Sequence, residues 1–326
     1  MVITTEGTEG TELQSQTRMK RALLAVLLAI SAPLAQGGAP VDETRFSLRE
    51  EFLRVINRDR RQFGLPAVQL DPFASSIADS YCREQIRNGT TGHFTIDGEA
   101  PYMRYSFAGG NDGVSENAAA WSANYTFSDR ALYEMMRRSE DAMMREVPPH
   151  DGHRRTILDP YATHVGIGFA WEGGEFRLTQ EFIRHYVDWS RTLPRNASAG
   201  DQVLCSGEPH RGYDVDAITV HHEPLPQSMA AVTANALSSY GLPETRRQYM
   251  PRLRFGMYYT DGGRGDFPIA KNGSFAFVVP LNDGPGVYTV VVWVRPHGST
   301  DTIAATNVSI RVTNAPGGGS TIAASR

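Results

Sequence analysis

Apolar positions in the first half of the chain recur at helical spacing, whereas those in the second half alternate as strands do. Leu48, Phe52, Val55 and Ile56 form one helical stripe. Ser47-x-x-Glu50 reads as the capping box that opens this helix, and Gly64 as its C-terminal stop. A second helix is predicted to start at Asp71-Pro72, an N-cap followed by proline in the first turn, with Phe73, Ile77, Tyr81 and Cys82 on its apolar side. A third is predicted over 128–146, with Leu132, Met135, Met136 and Met143 inward; the methionines read as core filler. The stretches 164–171 and 175–183 flank Gly173-Gly174 and read as a hairpin. From about 200 onward the pattern is strand and turn only. Runs at 216–222, 252–261, 274–280, 287–296 and 306–313 are separated by glycine-rich turns. This predicts an α+β domain followed by an all-β sandwich of immunoglobulin-like type. The polar, small-residue stretch 191–202 reads as the linker, which gives domains at 46–190 and 203–314 and a disordered tail at 315–326.

The N-terminus changes the compartment. Residues 19–37 carry Lys20 and Arg21, then an apolar run from Ala22 to Ile30, then small residues. This is the layout of a secretory signal peptide, too short to span a bilayer. The eighteen residues before Met19 read as a mis-assigned extension. The mature chain is thus expected to be exported, secreted or periplasmic, with no transmembrane segment. Export makes a Cys82–Cys205 disulfide chemically accessible, although Cys82 sits on an apolar stripe where a buried thiol is equally natural.

Composition narrows the function. The chain of 326 residues has 32 basic and 36 acidic side chains, a net charge of -4, so no basic excess is available to coat a nucleic acid. Lysine occurs only at positions 20 and 271; arginine supplies nearly all the positive charge. No G-x-S-x-G elbow, phosphate-binding G-x-x-x-x-G-K-[ST] loop or H-E-x-x-H helix occurs.

Four motifs in the first domain carry the chemistry. They are LRVINRDRRQFGL at 53–65, Thr91-Gly92-His93-Phe94, Ser115-Glu116-Asn117-Ala118, and Asp151-Gly152-His153-Arg154-Arg155 running on to Leu158-Asp159-Pro160. In this order, over roughly 48–185, they resemble the CAP superfamily of cysteine-rich secretory, antigen 5 and pathogenesis-related (SCP-domain) proteins, in its bacterial form. The resemblance implies an α-β-α sandwich with a cleft lined by two His and two Glu. By motif position these are His93, His153, Glu116 and Glu146, with Glu140 as the reserve for the last. The sequence departs from the family pattern in having Ser115 where glycine is usual and His150-Asp151-Gly152 after Pro148-Pro149. Two imidazoles could hold Zn2+ or another divalent ion at His93 and His153, with the carboxylates orienting them. The same four side chains could equally form a closed hydrogen-bond network. The implied function is a non-catalytic binding module for a lipid, glycan or protein ligand. The alternatives are a metal-dependent hydrolase of peptide or cell-wall material and an envelope structural or adhesion protein.

Overall fold

The computed structural model describes residues 3–4 and 41–314. The signal segment 19–37, nearly all of the leader 1–18, and the tail 315–326 lie outside the described residues. The first part of the chain contains β1 (Ile3–Thr4), α1 (Val41–Gln62), β2 (Gln69–Leu70), α2 (Pro72–Asn88), α3 (Pro101–Phe107), β3 (Gly113–Ser122), α4 (Asp129–Met144), α5 (Gly152–Ile157), β4 (His164–Glu172) and β5 (Glu175–Arg184). These strands form one sheet in the order β1-β3-β5-β4-β2.

Strand alternation explains the three layers. Val165, Ile167 and Phe169 of β4, with Phe176, Leu178 and Phe182 of β5, share one core with Phe52 and Ile56 of α1, Leu132 and Met136 of α4 and Ile157 of α5. The intervening residues of β4 face α2 and are small for a reason. A Cβ on Gly168 would lie 2.2 Å from the Ala78 carbonyl carbon, and one on Gly166 would lie 2.5 Å from the Ala74 Cβ. Only glycine lets α2 approach the sheet this closely. Asp71 caps α2 as the sequence predicts, accepting from the Ala74 N–H at 2.9 Å. Gly64 adopts φ 71, the left-handed stop expected after α1.

The second part contains β6 (Val187–Arg191), β7 (Asn196–Ser198), β8 (Gln202–Pro209), β9 (Tyr213–Glu223), α6 (Ala231–Ala236), β10 (Thr245–Tyr249), β11 (Phe275–Pro280), β12 (Gly286–Pro296), β13 (Ile303–Ala304) and β14 (Val308–Thr313). One sheet runs β10-β9-β12-β14-β7 with β13 beside β12, and the other runs β11-β8-β6. Both contribute to a single core that includes Cys205, Phe277, Ile218, Tyr288, Val290 and Ile310. The chain is therefore α+β with a β-rich C-terminal region.

Several expectations are corrected. Helix α1 begins six residues before Ser47, so the capping box lies inside it. Tertiary anchoring extends it: Arg45 donates to the Phe169 carbonyl at 2.9 Å and Arg49 to the Ile167 carbonyl at 2.7 Å, and both pair with Asp79. The stretch 191–202 is not merely a linker, because Asn196–Ser198 pairs in parallel with β14, and Val187–Arg191 already pairs with β8. The run 252–261 is irregular, with Phe255 fully exposed, whereas β10 and the short α6 occupy stretches without a strong apolar pattern. Cys82 and Cys205 are both free and buried, in different cores. Cys82 lies against Thr179 Oγ1 at 3.3 Å, and Cys205 sits between sheet strands. The considered disulfide is therefore not formed. Burial pushes both thiols up to about 12, so neither is a ready nucleophile.

The two parts share an interface. Asn307 donates to the Val114 carbonyl at 3.0 Å and accepts from the Val114 N–H at 3.1 Å. Gly113 donates to the Ala305 carbonyl at 2.8 Å. Val287 packs in one cluster with Val114, Ile183 and Tyr102.

Candidate functional site

The cleft forms at the β3 side of the first sheet, where groups from both faces meet. Ser115-Glu116-Asn117 lie on β3, so Glu116 and Asn117 point to opposite faces. Glu116 is opposite Glu181 of β5, and Asn117 is opposite Gln180. His93 arrives from the loop after α2, on the face of Glu116. His153 arrives from the first turn of α5, on the other side, and its carbonyl accepts from Asn117 Nδ2 at 3.1 Å. The two imidazoles end with ring centroids 6.3 Å apart at an interplanar angle of 29°.

Each ring is held by a carboxylate. His93 Nδ1 meets Glu116 Oε1 at 2.8 Å, and His153 Nδ1 meets Glu146 Oε1 at 2.5 Å. A carboxylate only accepts, so each Nδ1 carries the proton and each Nε2 keeps its lone pair. Glu146 lies just past the end of α4, and its other oxygen accepts from the backbone N–H of His153 at 3.0 Å and of Arg154 at 3.3 Å. All four residues predicted for the cleft are thus brought together. Glu140, the reserve, is elsewhere: it is fully buried and accepts from Gln180 Nε2 at 2.5 Å. His150 is exposed and His164 is half-buried at the start of β4. Asn57 is structural, exchanging two hydrogen bonds with the Val68 backbone. Arg60, buried beside it in sequence, donates to the carbonyls of Pro66, Ile157 and Asp159 and pins α1 to the loop after α5.

Three cleft residues escaped the sequence reading. Arg104 of α3 donates to Glu116 Oε2 and, at 2.9 Å, to the His93 carbonyl; its guanidinium lies 3.6 Å over the Tyr81 ring. Glu181 is fully buried, 3.8 Å from Arg104. Tyr240, from the second part of the chain, has its ring 4.8 Å from His93. Its hydroxyl accepts from the Glu116 N–H at 2.5 Å. Arg104 and Glu181 fall outside the four motifs, and their only signal was a charge at a position whose neighbours alternate as core. Tyr240 carried none.

Burial sets the protonation states. It drives the His93 imidazole down to about 3 and lowers His153 against the pull of Glu146, so both rings are neutral near pH 7. Burial raises both neighbouring carboxyls: Glu116 to about 7 against the pull of Arg104, and Glu181, with Glu116 beside it, well above the usual range, so Glu181 holds its proton and Glu116 is the one of the two that ionises opposite Arg104.

Neutral imidazoles with carboxylate-fixed Nδ1–H groups are the arrangement that presents Nε2 to a metal ion. His153 Nε2 is buried and has no hydrogen-bond partner among the described residues. Two imidazoles on one tetrahedral ion with Zn–N bonds of about 2 Å would stand with centroids about 5 Å apart, about 1 Å closer than the 6.3 Å seen here. The donor set, two neutral imidazoles backed by carboxylates, is the one a zinc-class ion takes. The cavity that His93 and His153 line measures about 330 Å³ and also borders Ser115, Thr156 and Tyr240.

A three-layer domain with paired His and Glu at a sheet-edge cleft defines the class of protein. Residues 53–182 match the model of the Cysteine-rich secretory protein family, CAP, so this domain is of the CAP type. Similar solved structures include an extracellular SCP-domain protein from Bacillus anthracis, 17% identical over 46% of this chain and 45% of that one, with a TM-score of 0.34. Another is a cysteine-rich secretory protein from Staphylococcus aureus, 18% identical over 44% and 41%, with a TM-score of 0.31. The chain thus spans less than half the length of either. No curated protein matches it. Among the described residues no helix is long and apolar enough to cross a membrane.

Proposed function

We propose that this is an exported, non-catalytic binding module that takes its ligand in the His/Glu cleft, with His93 and His153 able to hold one zinc-class ion through Nε2. When bound, that ion would offer open positions to a ligand's oxygen or nitrogen atoms. One observation carries the choice of binding over hydrolysis: both cleft carboxylates stand behind the rings, on the Nδ1 side, away from the Nε2 atoms that would meet an ion. Glu116 uses one oxygen on His93 and the other on Arg104; Glu146 uses one on the His153 ring and the other on two backbone N–H groups. Neither is placed to take a proton from a water on the Nε2 side, as metal-dependent hydrolysis requires of its base.

The ligand class follows from the lining. The cleft is bordered by polar side chains, which suits a polar group better than an acyl chain. It shares Ser115, Arg155 and Thr156 with a groove of about 830 Å³ that also contains Arg184 and Trp293. An aromatic face beside arginines favours a glycan or an anionic headgroup. The immunoglobulin-like reading of the second sandwich belongs to the same proposal, as an accessory recognition domain.

The test is zinc content of the dialysed mature protein beside His93→Ala and His153→Ala, each checked for folding by circular dichroism. Loss of one equivalent in both folded variants supports the cleft ion. Wild-type content in both overturns it. Turnover of a peptide or cell-wall substrate that vanishes in Glu146→Gln with zinc retained would replace the binding reading with the hydrolase.

A further inference from the structure

We infer a second divalent-cation site, made by His185, Asp188 and His210, at the crossover between the two parts of the chain. Each of the three offers one ligating atom, and these atoms all lie within 4.8 Å of one another. The topology brings them together. His185 directly follows β5, Asp188 is the second residue of β6, and His210 directly follows β8. The β6–β8 ladder pairs Val187 with Pro209, and the His210 N–H donates to the Tyr186 carbonyl at 2.9 Å. The His185 and His210 rings are 4.9 Å apart, and His210 Nε2 is 3.5 Å from Asp188 Oδ1.

A second layer of contacts prepares the first ring. His185 Nδ1 meets Asp112 Oδ1 at 2.8 Å, and the His185 N–H donates to Thr163 Oγ1 at 3.0 Å. Asp112 in turn accepts from the Tyr105 hydroxyl at 3.3 Å, so its orientation is fixed as well. Holding Nδ1–H on a carboxylate leaves Nε2 with its lone pair as the ligand atom, as at the cleft histidines. Ligating atoms on a tetrahedral ion with bonds of about 2.0–2.1 Å stand about 3.4 Å apart. The His210–Asp188 spacing already meets this, and Asp188, with a side chain 75% exposed, is free to rotate inward. Two imidazoles and one carboxylate select a zinc-class ion over calcium or magnesium. With three protein ligands, at least one position is left to water. Because His185 leaves the first sheet and Asp188 and His210 belong to the β11-β8-β6 sheet, a bound ion would tie the two parts together at the point where the chain passes between them.

The site is independent of the cleft, and the test keeps the two apart. The full mature chain and its His210→Ala and Asp188→Asn variants are equilibrated with Zn2+ alone, dialysed, and their bound zinc counted. Both substitutions are at solvent-accessible side chains, and circular dichroism verifies the fold. The wild type is expected to hold one equivalent more than either variant, whatever the cleft holds. Asp112→Asn should keep the stoichiometry but weaken zinc about 10- to 100-fold in a competition titration. Replacement by Co2+ should give a visible absorption band that loses intensity in His210→Ala and persists in His93→Ala. Equal zinc content in the wild type and both variants overturns the site; a deficit confined to His93→Ala and His153→Ala overturns it while leaving the cleft ion standing.

Discussion

Glu140 offers the sharpest check on the buried electrostatics, because it is fully enclosed yet carries no ion-pair partner. Its carboxyl accepts from Gln180 Nε2, while Oε1 has no partner among the described residues. Burial pushes its pKa from the ordinary 4.5 up to about 8. In the unfolded chain the group ionises at its ordinary value, so between these limits the folded state holds a proton that the unfolded state has released. Stability is then greatest below pH 4.5 for this group and falls as pH rises through 8. The loss between pH 5 and pH 9 is on the order of 4 kcal/mol, at 1.36 kcal/mol for each unit by which the two states differ. Glu140→Gln preserves shape and removes the titration. Urea unfolding of wild type and variant at pH 5, 7 and 9, with a chelator present to keep metal out of the balance, isolates the effect, since all other titrating groups cancel in the difference. The variant should gain on the wild type by about 4 kcal/mol from pH 5 to pH 9. A difference that stays constant within about 0.5 kcal/mol would refute the buried, protonated carboxyl.

Other substitutions probe the remaining supports of the cleft. Arg104→Leu strands Glu116 without its cation and should cost about 3–5 kcal/mol in denaturant unfolding, part of which Glu116→Gln in the same chain should restore. Gly168→Ala drives a methyl into the α2 backbone and should cost at least about 1–3 kcal/mol, read as a lowered thermal midpoint; an unchanged midpoint would mean that α2 packs less closely than 2.2 Å implies.

The first domain was legible because its signals are local. Asp71-Pro72 announces a cap, Gly173-Gly174 a hairpin, and the His93, Glu116 and His153 motifs stand at recognisable positions along the chain. Glu146 is placed by the resemblance alone, three residues after Met143, which stands where family members carry a helical tryptophan. What stayed hidden depends on partners distant in sequence. Nothing near residue 41 foretells that Arg45 and Arg49 will be held by β4 carbonyls, and so the sequence pattern places the start of the helix too late. The run 252–261 has strand-like alternation, but no neighbouring strand offers it a ladder, and Phe255 ends in solvent. Arg104 and Glu181 look like ordinary surface charges until α3 and β5 bury them on the same face.

The hidden residue with the largest consequence is Tyr240. It lies in the segment between α6 and β10, yet its hydroxyl both accepts from the Glu116 N–H and, at 3.3 Å, donates to the Glu116 carbonyl. Glu116 sits at the β3 edge, whose backbone groups there would otherwise face water or another chain. The tyrosine therefore closes that edge and walls one side of the histidine cleft at once. Asn235 adds a second clasp, accepting from the Thr91 N–H at 2.7 Å two residues before His93. These contacts make the cleft a joint product of both halves of the chain. Displacing the second half would expose Glu116 and loosen the loop that carries His93. Any displacement of the 224–242 segment would therefore be felt at the imidazoles.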